Sequence, residues 1–442
     1  MKARVAGIAL ALLAAGAAAR PAAAATAEHL PPVLSLDAAL GLARKHQPDL
    51  RAAHFNAVAA EQRVDEQFSN LLPQLTLNST YTRQTSNFAP APSTSQVMNS
   101  SVQSSFESFN YFRNTANASQ LIWDFGQTIR KRDAAQASAD ATLDTEKASA
   151  LAIDLNLRTA FFVASAARTA VDVARETLAN QNKHLEQIQS FVDLGRNPTI
   201  DLLQARVDQA NAEVTLINAQ GSYATARAQL NQAMGVEADI SYDVETTVSA
   251  PVPGESSPSE ALIEEALNAR PEIASLRDQL RAQVLANKSV YGRYWPSIQA
   301  VAQGSYNGYE LDRLVWNLSA GLGLSWTLYD GGQTRATLRE GNANVASIAA
   351  QIDSIRLQVR VDVEKARLAV AGAKASLAAA DRSLTNARAR LDLAEVRYRT
   401  GVGSIIELSD AQLAATTAAF QKLQAQLNLD TARAQLTRAL AR

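Results

Sequence analysis

The chain has 442 residues, 47% of them hydrophobic and 19% charged, a formal net charge of -1 and no cysteine. The charge balance excludes a strongly basic nucleic-acid binder, and the missing cysteines exclude disulfides, thiol catalysis, cysteine-based metal sites and an acylated N-terminal cysteine. The charged fraction falls below the roughly 25% of typical soluble domains, so part of the surface is expected to face something other than water.

Lys2 and Arg4 precede an apolar run from Val5 to Ala19, then Arg20-Pro21 and an Ala-rich stretch with an A-x-A site at Ala23 and Ala25. This predicts an export signal over residues 1–25. The run is shorter than the ~20 residues a spanning helix needs, and no later stretch has 18 uncharged apolar residues in a row. The mature chain is therefore expected to lack a transmembrane helix.

The next elements follow in order. Ser35 can cap a helix over about Leu36–Leu71. Leu75, Leu77 and Tyr81 alternate with Thr76, Asn78 and Thr80 as in a strand, and a weaker strand runs from about Phe109 to Ile122, after a polar stretch from Thr85 to Ser108. Proline is absent from Gln127 to about Asp193, where Ala, Leu, Arg, Gln and Glu predict one long helix. A turn at Leu194-Gly195 leads to a helix over about Thr199–Gly235. A linker over 236–258 ends in Ser257-Pro258-Ser259-Glu260, which places proline at an N1-like position with a capping box and opens a helix to Tyr294. Strands follow over Ile298–Tyr306, with a hairpin turn at Asn307-Gly308, and over Trp316–Leu328. The chain closes with helices over Gln333 to about Thr400 and Ser404–Leu440.

This order is a duplication. Pro48 and Pro271, and Pro73 and Pro296, are offset by 223; Asp124-Phe125-Gly126-Gln127-Thr128 and Asp330-Gly331-Gly332-Gln333-Thr334, and Gly195 and Gly401, by 206. Chance similarity between Ala-rich helices would not keep two constant registers. The division is thus a first repeat over 26–235, with a β-hairpin at about 73–124 and a tip near 195, and a second over 259–442, with a β-hairpin at about 296–330 and a tip near 401. The 71 residues from Asp124 to Gly195, equal to those from Asp330 to Gly401, span about 105 Å of helix. No single globular domain contains such a rod, so long helices are expected to pack against shorter helices stacked end to end. Leu384, Ala387, Leu391, Ala394 and Tyr398 form a coiled-coil seam. A soluble periplasmic coiled coil would explain the helices equally well.

The strands separate the two readings. From Trp316 to Leu328 apolar and polar residues alternate, with Trp316 and Trp326 on the apolar face ten residues apart. At ~3.3 Å per residue and ~45° tilt this is roughly 23 Å, close to the ~25 Å apolar band between the aromatic girdles of a membrane barrel. Trp123 and Trp295 fall at predicted strand–helix junctions, completing a girdle. Four strands cannot close a barrel, and an open edge cannot sit in lipid. Three copies would give 12 strands, although arithmetic alone also allows a dimer.

The exported Ala-rich chain, its duplicated β-hairpin and long helical hairpin, and the glycine turns followed by an acidic residue resemble the TolC-like outer-membrane efflux proteins over essentially all of the mature chain. The resemblance implies a mainly α fold with membrane β: a homotrimeric 12-stranded barrel, four strands per chain, in the lipid of the outer membrane of a Gram-negative bacterium. The barrel would continue into an α-helical tunnel through the periplasm. It also implies an exit duct for efflux or type I secretion, with a periplasmic adaptor and an inner-membrane pump or ABC exporter as partners and no cofactor. Leu194, Gly195, Arg196, Thr400, Gly401 and Val402 would meet the adaptor. Glu407 and Asp410, six and nine residues after Gly401 and on one helix face, match the family's pore constriction, with Glu for the usual Asp at the first. Asp201 and Tyr398 match positions that latch neighbouring helices in the closed state. The family's basic residue two after the second tip glycine is Gly403 here, so part of that latch is missing.

No catalytic set emerges. His29, His46, His54 and His184 are scattered, without paired metal spacing, and are expected to be solvent-facing or interfacial. Gly401-x-Gly403 lacks the lysine of a phosphate loop, and no G-x-S-x-G elbow is present. A non-channel periplasmic adaptor or scaffold, the alternative, would need lipoyl-like β segments flanking a single hairpin, and none is visible.

Overall fold

A computed structural model of the chain describes residues 32–85, 106–196, 198–237 and 242–442. The predicted export signal, His29, Asn197 and most of the Thr85–Ser108 stretch lie outside these residues.

Each half begins with two helices where the sequence suggested one. These are α1 (Leu36–His46) and α2 (Pro48–Ser69), then α5 (Ser259–Ala269) and α6 (Pro271–Tyr291). Proline disfavours helical backbone in the residue before it, and Gln47 and Arg270 take extended ψ angles of 117° and 121°. The Ser35 hydroxyl caps α1 by accepting from the Ala38 N–H at 3.3 Å. The start of α5 departs from the expected capping box: Pro258 is the residue before the first helical turn, and no side chain caps it.

The strands β2 (Gln74–Thr85), β3 (Ser108–Trp123), β5 (Ser297–Gly308) and β6 (Val315–Ser325) form one antiparallel sheet in the order β2-β3-β5-β6. Asn307 and Gly308 stay in β5, with Asn307 opposite Val315, so the chain turns through 309–314 instead. Likewise β6 stops at Ser325, before Leu328.

Long rods follow each hairpin. Helix α3 (Gln127–Asp193) and helix α7 (Gln333–Arg399) have 67 residues each, and they return through α4 (Thr199–Met234) and α8 (Ile405–Ala439). Around Ala139 to Thr145 helix α3 packs against α2 and α6, and around Leu157 to Val171 against α4, as stacking shorter helices on a long one requires. It contains a stretch apolar enough by composition to cross a membrane, but its Leu157, Phe161 and Phe162 are buried in the main core cluster with α4 and α1.

Both offsets seen in the sequence recur in three dimensions. Leu36 and Ser259, and Gln74 and Ser297, start equivalent elements 223 apart, whereas Gln127 and Gln333, and Thr199 and Ile405, do so 206 apart. The strand-to-helix joints are the same device twice. The Asp124 carboxylate accepts from the Gly126 N–H (3.1 Å), the Thr128 N–H (2.7 Å) and the Thr128 hydroxyl (2.5 Å). Asp330 does the same for Gly332 and Thr334. These bonds satisfy amides that would otherwise be orphaned at the helix start. Asp124→Ala should lower stability by about 1–2 kcal/mol, read as an earlier midpoint of guanidinium unfolding in detergent; an unchanged midpoint would show that water replaces the carboxylate.

The sequence did not reveal a short parallel pair, β1 (Val33–Leu34) with β4 (Asp243–Val244), that fastens the linker to the rods. Arg168 of α3 grips Asp243 through Nε at 2.9 and 3.0 Å, and the Tyr223 hydroxyl of α4 donates to the same carboxylate. Burial opposes the charge on Asp243, but these bonds outweigh it and hold its pKa below the ordinary value. The Tyr223 phenol, desolvated and donating to that carboxylate, is pushed up to about 12.

Candidate functional site

Two regions carry the residues singled out by the sequence. The first is the sheet. Its register stacks side chains in rows: Leu75, Ala118, Ala302 and Ala320 lie opposite one another, as do Leu77, Ala116, Gly304 and Leu318, and then Ser79, Asn114, Tyr306 and Trp316. The intervening rows are polar: Thr76, Asn117, Gln303 and Ser319, then Asn78, Thr115, Ser305 and Asn317. Successive residues of a strand point to opposite faces, so one face of the sheet is apolar and the other polar. The polar pair on the apolar face is self-satisfied, since the Ser79 hydroxyl donates to Asn114 Oδ1 at 2.7 Å and Asn114 Nδ2 donates to the Tyr306 carbonyl at 3.1 Å.

The register shifts between Leu121 and Trp123, and this bulge brings Trp123 opposite Ile298, onto the apolar face. Trp316 stands at one end of that face. Trp123, Trp295 and Trp326 gather at the other, where the sheet meets the helices. There Phe125 stacks on Trp295 with centroids 5.3 Å apart, and Trp326 Nε1 donates to the Tyr294 carbonyl at 3.1 Å. All four tryptophans are exposed.

The second region is the far end of the helical hairpins. Gly195 and Gly401 have φ of +70° and +81°, as a left-handed helix C-cap requires. The N–H groups of Arg196 and Val402 close the turns onto the carbonyls of Phe191 and Arg397 at 2.8 and 3.0 Å. Leu194 and Val402 project outward, 71% and 72% exposed, and the Arg196 guanidinium lies over the Phe191 ring. Thr400 turns its hydroxyl back to the Val396 carbonyl.

Behind the turns Ile188, Leu202, Ala205, Ala394, Tyr398, Leu408 and Ala411 form a core drawn from α3, α4, α7 and α8. Tyr398 is buried in it, and Asp201 lies in the first turn of α4. Glu407 and Asp410 sit in the first turns of α8. The Ser404 hydroxyl caps that helix by accepting from the Glu407 N–H at 3.2 Å. Asp410 is exposed, whereas Glu407 Oε1 lies 3.1 Å from Arg397 Nε.

Sequence reasoning missed this Arg397–Glu407 pair. It sought the cation after the tip glycine, but the last turn of α7 supplies it from before the glycine. The tight turn explains why position 403 is small: a Cβ there would lie 3.0 Å from the Tyr398 nitrogen and 3.1 Å from the Arg397 carbonyl carbon. His184, expected to be solvent-facing or interfacial, is half-buried between helices. Its ring packs on Tyr398, centroids 5.7 Å apart, and its Nε2 is buried without a hydrogen-bond partner. No cluster able to hold a metal occurs among the described residues.

Comparison with known proteins places this geometry. The outer membrane efflux protein family matches residues 39–236 and 262–442. The chain is 26% identical over 414 residues to the probable efflux pump outer membrane protein SepC and to the toluene efflux pump outer membrane protein TtgF, both of Pseudomonas putida. Each alignment covers 91% of this chain and 82% of the relative. It is 22% identical to Escherichia coli TolC over 393 residues, 84% of this chain and 74% of TolC. The fold superposes on the CmeC outer membrane channel of Campylobacter jejuni with a TM-score of 0.78, 18% identity and coverage of 92% of this chain and 85% of CmeC. On the open MtrE channel of Neisseria gonorrhoeae the TM-score is 0.75 at 18% identity, covering 92% and 88%. A match that spans both halves of the duplication, on a sheet with one apolar face and rods too long for a globular domain, makes the chain an outer-membrane channel protein of the outer membrane efflux protein family.

Proposed function

We propose that three copies of the chain close into a 12-stranded barrel and a continuous helical tunnel, forming a passive exit duct across the outer membrane and periplasm. The observation that carries this reading is the sheet. Its edges, β2 and β6, pair with no further strand among the described residues, and its apolar side chains share one face. An open edge is untenable in lipid, so other copies must supply the closing strands, with the apolar face and its tryptophans toward lipid and the polar rows lining the lumen. The tips, with Leu194 and Val402 exposed, are the contact for a periplasmic adaptor, and an inner-membrane pump or ABC exporter supplies the cargo. The duct itself performs no chemistry.

In such a trimer Glu407 and Asp410 contribute six carboxylates around the narrow end, a ring that binds cations and repels anions. The Arg397 pair restrains Glu407 from its own chain, while Asp201 and Tyr398 hold the helices of the closed end together.

The test is made in planar bilayers on detergent-extracted protein whose mass is measured by light scattering. A trimer with discrete channels is expected, and Glu407→Ala with Asp410→Ala should raise single-channel conductance or abolish block by divalent cations. A stable monomer that extracts without detergent would overturn the duct. Unchanged conductance and block in the double variant would remove the carboxylate ring.

A further inference from the structure

His184 is the only described imidazole nitrogen buried without a partner, and it lies where the four helices of the tip converge. Tyr398 of α7 packs on its ring. Asp208 of α4 is the carboxylate whose field reaches it, and both oxygens of Asp208 already accept bonds, from Ser409 of α8 at 2.8 Å and Gln204 at 2.9 Å. Three residues before His184, Gln181 donates to Gln412 of α8 at 3.1 Å. Of the other charged groups at this end, Glu407 of α8 is paired with Arg397 of α7, Asp201 lies in the first turn of α4, Arg196 lies over the Phe191 ring, Asp410 is exposed, and Lys183 and Glu186 of α3 itself are exposed.

We propose that His184 is a proton-sensitive positioning residue of the tip, which holds α3 against Tyr398 while its ring is neutral and loosens the four-helix contact when it takes a second proton. The inference rests on the tip being the closed end of the duct. A neutral imidazole fits an apolar niche at the cost of one unmatched nitrogen, whereas an imidazolium needs acceptors for two N–H groups and solvation for its charge. The niche meets these needs poorly: Nε2 has no acceptor, the ring faces an aromatic side chain and a carboxylate whose oxygens are engaged, and Gln187 is the one side chain whose hydrogen bond favours the proton.

Burial depresses the His184 pKa below its ordinary value of 6.5, against smaller opposing effects of Gln187 and Asp208. The sign follows directly. In an open tip the ring regains its ordinary value, so the closed packing is at full strength above about pH 7 and is progressively penalised as the pH falls below 6.5 through the depressed value. An acidified periplasm would then favour opening.

Hydrogen–deuterium exchange on the assembled full-length protein tests this, with protection factors corrected for the intrinsic rate at pH 7.5 and 5.5. Peptides spanning 181–192 and 391–399 should lose protection several-fold on acidification in the wild type. His184→Gln and His184→Leu, which remove the titration, should show no such loss, and in planar bilayers they should lack the acid-induced rise in conductance. If both variants keep the acid-dependent loss, or the wild type shows none, the inference is overturned. Absence of any channel, by contrast, would refute the duct itself.

Discussion

Gly235→Ala should unfold the joint between the return helix and the opening helices of the first repeat, at a cost of about 2–4 kcal/mol. Gly235 ends α4 with φ +71°, and a Cβ there would stand 2.7 Å from the Gln47 Cα, 2.8 Å from the His46 carbonyl oxygen and 2.9 Å from the Pro48 Cδ. These neighbours are backbone or ring atoms at the α1–α2 break and cannot swing aside. The estimate combines ~1 kcal/mol for a non-glycine residue in a left-handed conformation with ~1–3 kcal/mol for forcing extra volume into a packed site.

The duplication supplies an internal control. The residue 206 positions later is Ala441, and it adopts φ +57°. The same backbone conformation therefore carries alanine at the second joint, so the expected penalty at 235 comes mainly from the approach of α1 and α2. Ala441→Gly should accordingly stabilise by up to about 1 kcal/mol. At Gly195, φ +70° with open space around it, alanine should cost only the ~1 kcal/mol of conformation. Unfolding midpoints by circular dichroism in detergent for the three variants should rank Ala441→Gly above Gly195→Ala above Gly235→Ala. Equal losses at 195 and 235 would show that backbone conformation, not contact, sets the cost.

Much of this architecture is legible in the sequence because the repeat is written in residues whose backbone demands are strict. Prolines, tip glycines and the Asp-x-Gly-x-Thr joints mark element ends whatever the tertiary context. The period of two from Trp316 onward likewise marks the apolar face. What the sequence concealed depends on distance along the chain. The β1–β4 pair is two residues long and joins segments about 210 positions apart, too short for any periodicity to register. The bulge that turns Trp123 outward leaves no compositional trace. Arg397 and Glu407 meet only because the tip turn folds α8 back on α7, and His184 differs from the exposed His54 only through the helices that cover it.

Arg270→Met should be about as damaging, at about 3–5 kcal/mol, and it tests whether the two halves share one clasp. Gln47 and Arg270 each precede the proline that splits an opening helix, and each reaches the last turn of its return helix. Gln47 Nε2 donates to the Ala233 carbonyl at 3.4 Å and Arg270 Nε to the Ala439 carbonyl at 3.0 Å. Ala233 and Ala439 are themselves 206 apart, so the contact is conserved between the halves while its chemistry is not. In the second half the clasp is charged: Arg270 is 4% exposed and its Nη1 lies 3.1 Å from Asp362 Oδ2 of α7. Removing the buried guanidinium leaves a helix-terminal carbonyl and a half-buried carboxylate, which keeps only its bond from Gln358, without their cation, and breaking such a pair costs more than the pair contributes. Gln47→Ala removes only a long neutral bond and should cost about 1 kcal/mol. Asp362→Leu added to Arg270→Met should restore part of the loss, because no unpaired charge then remains. Unfolding midpoints of the two single variants and the double variant measure the coupling. Strict additivity would mean that the Arg270 contribution lies in the Ala439 carbonyl alone, and that the second-repeat clasp works as the first does, without its charge.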